Sequence, residues 1–264
     1  MSDAGKVNVR VEEGIAFLTL ANPRRKNAIT LAMTEQIAEF SARVESDPSI
    51  GVVVIDAEGG YFCSGADTRD LAASSDAPAS TEALERTSAV YGAFVRIGNL
   101  PVPTIALIEG GAVGAGMNLA LAADVVLVTP DAILDSGFLA RRIHPGGGHL
   151  RLLGRSLGYQ QAIAMAALGA ALTGEQAVGL GLAWRALPGD QLLPAAIELC
   201  QLAASDPLLV RKIKASARLE LEDPGLSWPA AVEVERGMQM WSLGRKQSHG
   251  WDERPAAPTI EAGK

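Results

Sequence analysis

The chain has 264 residues, 48% of them hydrophobic and 28 of them glycine, with a net charge of −7. That is long for one domain, enough for a sizeable core, and too acidic overall to favour nucleic acid or an anionic membrane surface as a partner. Two cysteines, Cys63 and Cys200, cannot build the disulfide framework of a small secreted scaffold.

Residues 1–10 have no apolar core of signal-peptide length. The most apolar stretch, 102–128, is interrupted by Pro103, Glu109, Asn118 and Asp124, so no membrane insertion is expected and a cytoplasmic setting fits. Ile15 to Leu20 reads as a strand, with Val7, Val9 and Val11 alternating before it. Pro23 stops it, and Thr30 caps a helix with the apolar stripe Leu31, Met33, Ile37, Phe40, Val44. Asp47-Pro48 ends that helix before a short buried strand, Val52 to Ile55. A glycine-rich loop spans 58–67, and 72–81 reads as a surface loop. A helix from Glu82 to Gly98 leads to a strand at Thr104 to Ile108. The turn Gly110-Gly111 then opens a helix from Gly114 to Ala122, followed by a strand from Val125 to Val128.

This alternation predicts an α/β fold with largely parallel strands. From Asp190 the strand signals cease, and helical patterns occupy 191–204, 207–221 and 228–243 before an extended Pro- and Ala-rich tail. The expected organisation is a core over 1–190 with a helical C-terminal appendage over 191–264. No repeat is visible in the residue identities.

Three stretches carry possible chemistry: Asn22-Pro23-Arg24-Arg25-Lys26-Asn27-Ala28, Phe62-Cys63-Ser64-Gly65-Ala66-Asp67, and Gly110 to Ala120. The third ends a strand and opens a helix, where unpaired N–H groups and the positive end of the helix dipole suit an anion or a carbonyl gaining negative charge. A second N–H from residues 62–67 would complete an oxyanion hole. The plainer reading is that these glycines only let a helix pack close to a strand. Neither a phosphate-binding G-x-x-x-x-G-K-[ST] loop nor a dinucleotide G-x-G-x-x-G fingerprint fits residues 110–119. A G-x-S-x-G nucleophile elbow is absent as well.

Taken together and in this order, the three stretches resemble the crotonase (enoyl-CoA hydratase/isomerase) superfamily. The likeness continues through His144-Pro145-Gly146-Gly147-Gly148, Leu172-Thr173-Gly174 and, weakly, Asp252-Glu253-Arg254-Pro255, and so spans about 8–255. It implies a superhelix of repeated ββα units, with the C-terminal helices building homotrimers or pairs of trimers. It also implies an acyl-CoA thioester ligand, with coenzyme A present as part of the substrate and no covalently bound cofactor or metal. The thioester oxygen would sit between the N–H groups of Ala66 and Ala115. Arg24, Arg25 and Lys26 would lie near the CoA phosphates, and Ala28, Cys63, Gly65, Asp67, Thr68 and Gly114 would contribute to the substrate site.

The family's hydratases use two glutamates to hold and activate water. The matching positions here are Asn118 and Phe138, neither of which transfers a proton. Asp135 and His144 are the polar groups that could substitute, although Asp135 could equally end a strand and His144 stand in a turn. Cys63 reads as a small buried residue before it reads as a nucleophile, and Asp67 as an acceptor fixing its loop. Glu109 and Asp124 read as structural, and His149 and His249 as surface groups. The resulting expectation is an enoyl-CoA hydratase/isomerase-like lyase or isomerase whose ordinary hydration chemistry is in doubt. The alternatives are a non-catalytic acyl-CoA-binding protein, or a thioester hydrolase or decarboxylase using the same hole.

Overall fold

A computed structural model describes residues 5–70 and 80–221. The expected loop at 72–81 falls outside these residues except for Ser80 and Thr81, and the expected helix at 228–243, the tail and His249 fall outside them altogether.

Strands β1 (Lys6–Glu12) and β2 (Ile15–Ala21) form an antiparallel hairpin. Strands β3 (Val52–Ala57), β4 (Thr104–Ile108), β6 (Val125–Val128) and β9 (Arg185–Ala186) extend it in parallel, in the order β1-β2-β3-β4-β6-β9. Runs such as Val52-Val53-Val54-Ile55 are buried on both faces, which is what a central parallel strand requires. A second, smaller sheet has the order β5-β7-β8, from Gly111–Val113, Ile133–Asp135 and Ala171–Thr173.

The two sheets disclose the repeat that residue identities hide. Strands β4 and β5 precede helix α3 (Ala115–Ala122), and β6 and β7 precede helix α4 (His149–Leu168). In each unit one strand joins the large sheet, the next joins the small one, and a helix follows. This is the ββα unit implied by the resemblance.

Helix α1 (Leu31–Ser46) begins where the Thr30 side chain accepts the Met33 N–H, and it buries Met33, Ile37, Phe40 and Val44 as its stripe predicts. Helix α2 (Thr81–Gly98) is capped in the same way by Ser80 and packs against α1 and α3. These helices cover one face of the large sheet, over Ala16, Leu18, Leu20, Val53 and Ile55. The alternate side chains Ile15, Phe17, Val52 and Val54 point the other way. Helix α6 (Gly189–Ser205), which follows the short α5 (Gly174–Gly179), buries Leu192, Ala196 and Cys200 against them.

Helix α7 (Pro207–Leu221) reaches back across the body. Arg211 donates to the carbonyls of Val44, Asp47 and Ile50, and Arg218 to those of Gly98, Asn99 and Leu100. These carbonyls lie at the C-terminal ends of α1 and α2 and in the residues just after them. Between the two arginines, the buried Lys214 bonds the Val102 carbonyl at 2.8 Å and Asp124 at 2.7 Å, so Asp124 is structural, as expected. No single helix among the described residues is long and apolar enough to cross a membrane.

Candidate functional site

The first two sequence stretches are stitched together by asparagine. Lys26 and Asn27 take left-handed backbone angles after the 3-10 turn Pro23–Arg25, and Asn27 is fully buried. Its side-chain oxygen accepts the Asn22 N–H at 2.7 Å, while its amide donates to the carbonyls of Glu58 and Tyr61. The loop at 58–67 is thereby held against the turn at 22–28.

Asp67 fixes the end of that loop. It accepts the Arg69 N–H at 2.8 Å and pairs with Arg25 at 3.0 Å and Arg69 at 2.9 Å. Burial pushes its carboxyl up, but the hydrogen bonds from Arg69 and the two guanidinium charges outweigh this and hold it below the usual range. Of the three basic residues in the turn, Arg25 is therefore turned onto Asp67. Arg24 and Lys26 stay exposed, with the Lys26 ammonium 4.9 Å from the centre of the Tyr61 ring.

The two proposed donors follow from backbone pairing. Ile29 bridges the loop by donating to the Gly65 carbonyl at 2.8 Å and accepting from the Asp67 N–H at 2.9 Å. In such a bridge the intervening residue, Ala66, directs its own N–H to the opposite side. Ala115 is the first residue of α3, so its N–H has no carbonyl one turn earlier to reach. Neither N–H has a partner among the described residues. The segments can meet because of two glycines. Gly65 has a φ of +109°, and a Cβ there would stand 3.0 Å from the Val113 carbonyl oxygen and 3.7 Å from the Ala115 nitrogen. A Cβ on Gly116 would overlap the Cys63 carbonyl.

Ala66 and Ala115 both line a cavity of about 110 Å³ whose wall is largely apolar. Val90 and Tyr91 of α2, Phe138, and Ile143 line it, with Gly114 and Asn118 beside the donors. Thr68 is exposed, while Ala28 and Cys63 are buried behind the wall.

Asn118 stands on α3 with both ends of its carboxamide engaged. Its amide donates to the Gly146 carbonyl at 3.0 Å, and its oxygen lies 2.6 Å from Nδ1 of His149. Nε2 of the same imidazole lies 2.8 Å from the Ser136 hydroxyl. All three side chains are buried, and the Phe138 ring packs edge-on to the imidazole at 4.9 Å. The expectation that His149 is a surface group is wrong. It opens α4 on the same face as Leu153 and Leu157, and that i, i+4, i+8 spacing was the available signal. Burial lowers its pKa to about 4, so it stands neutral at pH 7. Neutral imidazole donates from only one nitrogen. With Nδ1–H given to the Asn118 oxygen, Nε2 accepts from Ser136.

Serine, histidine and asparagine in this order have the connectivity of a nucleophile relay. Ser136, however, does not line the cavity, and no carboxylate faces the imidazole within hydrogen-bonding distance among the described residues. The chain of bonds orients the cavity wall.

The other sequence candidates separate cleanly. Asp135 ends β7 and accepts the Gly137 N–H at 2.9 Å, outside the cavity lining. His144 is exposed in its turn with Nδ1 2.7 Å from the Pro145 carbonyl, and it does line the cavity. Burial pushes the Cys63 thiol up to about 12, which removes the thiolate a nucleophile needs.

The enoyl-CoA hydratase/isomerase family model matches residues 10–248. The Mycobacterium tuberculosis protein named “Probable enoyl-CoA hydratase EchA14” is 38% identical over 169 residues, covering 64% of each chain. The 1,2-epoxyphenylacetyl-CoA isomerase of Escherichia coli is 34% identical over 160 residues, covering 60% of this chain and 61% of that one. The match thus spans somewhat less than two thirds of these curated relatives' length. A crystal structure of an enoyl-CoA hydratase from Polaromonas sp. JS666 superposes with a TM-score of 0.82 at 26% identity, covering 90% of this chain and 92% of that one.

Proposed function

The chain belongs to the enoyl-CoA hydratase/isomerase family, and from that premise we propose that it binds an acyl-CoA thioester without performing ordinary enoyl-CoA hydration. The thioester oxygen accepts from the N–H groups of Ala66 and Ala115, and the acyl chain enters the cavity between α2 and Phe138. Supporting this are two unpartnered donors on residues that line one apolar-walled cavity. The exposed Arg24 and Lys26 offer the CoA phosphates local positive charge in an otherwise acidic protein.

One observation carries the negative half of the proposal: the polar atoms of Asn118 are held by Gly146 and His149. Hydration needs one group to take a proton from water and another to deliver one to carbon. Asn118 cannot titrate, and Phe138 offers no polar atom. The retained hole still stabilises an enolate or a tetrahedral species, which is the chemistry left open to this chain.

Mixing the protein with crotonyl-CoA, and following the double bond and the thioester by absorbance, tests the reading. Saturable binding with the double bond retained is the expected result. Hydration at about 10 per second or faster, an ordinary enzyme rate, would overturn it.

We further propose a cytoplasmic homotrimer or pair of trimers. Tyr159, Leu168, Trp184 and Leu221 are large apolar side chains left exposed on the single chain, which supports a covering partner.

A further inference from the structure

The cavity wall is mostly apolar, yet two guanidinium groups stand on it: Arg86 from α2 and Arg141 from the 3-10 turn Leu139–Arg141. Among the described residues neither forms an ion pair. One carboxylate, Asp70, lines the same cavity. The wall formed by the described residues is therefore net positive, inside a protein whose net charge is −7. Cations lining an apolar pocket gain most when an anion enters with them, because the pocket screens charge less than water does.

On the reading that this cavity takes the acyl part of a CoA thioester, we infer that the preferred thioester carries a carboxylate at the far end of its acyl chain, received by Arg86 and Arg141. The planar guanidinium offers paired donors that match a carboxylate. The phosphates of CoA are the other anions that could reach an arginine. They sit a full pantetheine arm away from the thioester, whereas Arg86 and Arg141 share a cavity with Ala66 and Ala115.

The test compares binding of malonyl-, succinyl- and glutaryl-CoA with that of butyryl- and hexanoyl-CoA and of free CoA, by calorimetry on the full chain. At least one dicarboxylic thioester should bind about tenfold more tightly than the neutral thioesters, the scale of a hydrogen bond to a charged group. Arg86→Gln and Arg141→Gln should each reduce that preference and leave free CoA unaffected, while Arg86→Lys should keep part of it. Equal affinity for neutral and dicarboxylic thioesters overturns the inference and leaves the acyl-CoA reading standing. A fall in free CoA affinity as large as that for the dicarboxylic ligand also overturns it, because the arginines would then serve the nucleotide. Failure of every thioester to bind overturns the acyl-CoA reading, and this inference with it.

Discussion

Nδ1 of His149 lies 2.6 Å from the side-chain oxygen of Asn118, and this one contact ties the start of α4 to a cavity-lining side chain of α3. Because Asn118 also donates to Gly146, the imidazole indirectly sets the turn that closes the cavity.

The buried imidazole gives folding a pH dependence with a definite sign. Its folded pKa is lowered from 6.5 to about 4, so the unfolded chain takes up the proton first. The stability it contributes is complete above about pH 6.5 and is lost as pH falls toward 4. The whole span is worth about 3 kcal/mol. Denaturant titrations at pH 7 and pH 5 should show a larger loss for the parent than for His149→Gln. Equal losses would mean that the ring is not held neutral.

Hydration of crotonyl-CoA should be at or below detection in the parent and rise in the double variant Asn118→Glu/Phe138→Glu. General acid–base groups contribute about 10²- to 10⁴-fold each. The single variant Asn118→Glu should also raise the His149 pKa, because a carboxylate replaces a neutral oxygen beside Nδ1. A pH titration of the imidazole by NMR reads this directly, and an unchanged value would contradict the contact.

Ala115→Pro removes one proposed donor at the first position of a helix, where proline is well tolerated. The variant should fold, as judged by circular dichroism, and bind acyl-CoA roughly tenfold or more weakly, the scale of one buried hydrogen bond to a polarised oxygen. Unchanged affinity would exclude Ala115 from the hole.

Ser136→Ala should leave any slow thioester cleavage by the protein unaltered, because the hydroxyl lies outside the cavity wall. Its cost should appear in stability, at about 1 kcal/mol for one lost hydrogen bond. Loss of cleavage in this variant would promote Ser136–His149–Asn118 from a positioning chain to a catalytic one.

Light scattering should return a multiple of three times the 27.5 kDa chain mass. A monomer at micromolar concentration would leave the exposed Tyr159, Leu168 and Trp184 without a covering partner.

Much of this arrangement is legible in the sequence, for identifiable reasons. The stripe of α1, its Thr30 cap and the continuous apolar run of β3 are local patterns, and local patterns survive reading one residue at a time. The loops holding Ala66 and Ala115 are legible because their glycines and Asp67 are dictated by backbone geometry. The second sheet is not, since three-residue strands such as β5 and β7 offer no period to detect. The Ser136–His149–Asn118 chain joins two helices and the loop after β7, and spacing alone cannot bring them together. Arg25 presented a different difficulty: a basic turn reads as a phosphate contact until its partner Asp67, 42 residues later, is known.

The arginines of α7 have a consequence for the order in which the molecule is made. Carbonyls at and just after the ends of helices α1 and α2 receive their donors from Arg211 and Arg218, which lie 118 to 167 residues further along the chain. A polypeptide still emerging from the ribosome can assemble the large sheet and both helices, but it completes neither helix terminus until α7 has been synthesised. Contacts of such long range form late and slowly. During translation the sheet and its two helices therefore wait, with the helix ends open, until α7 has emerged.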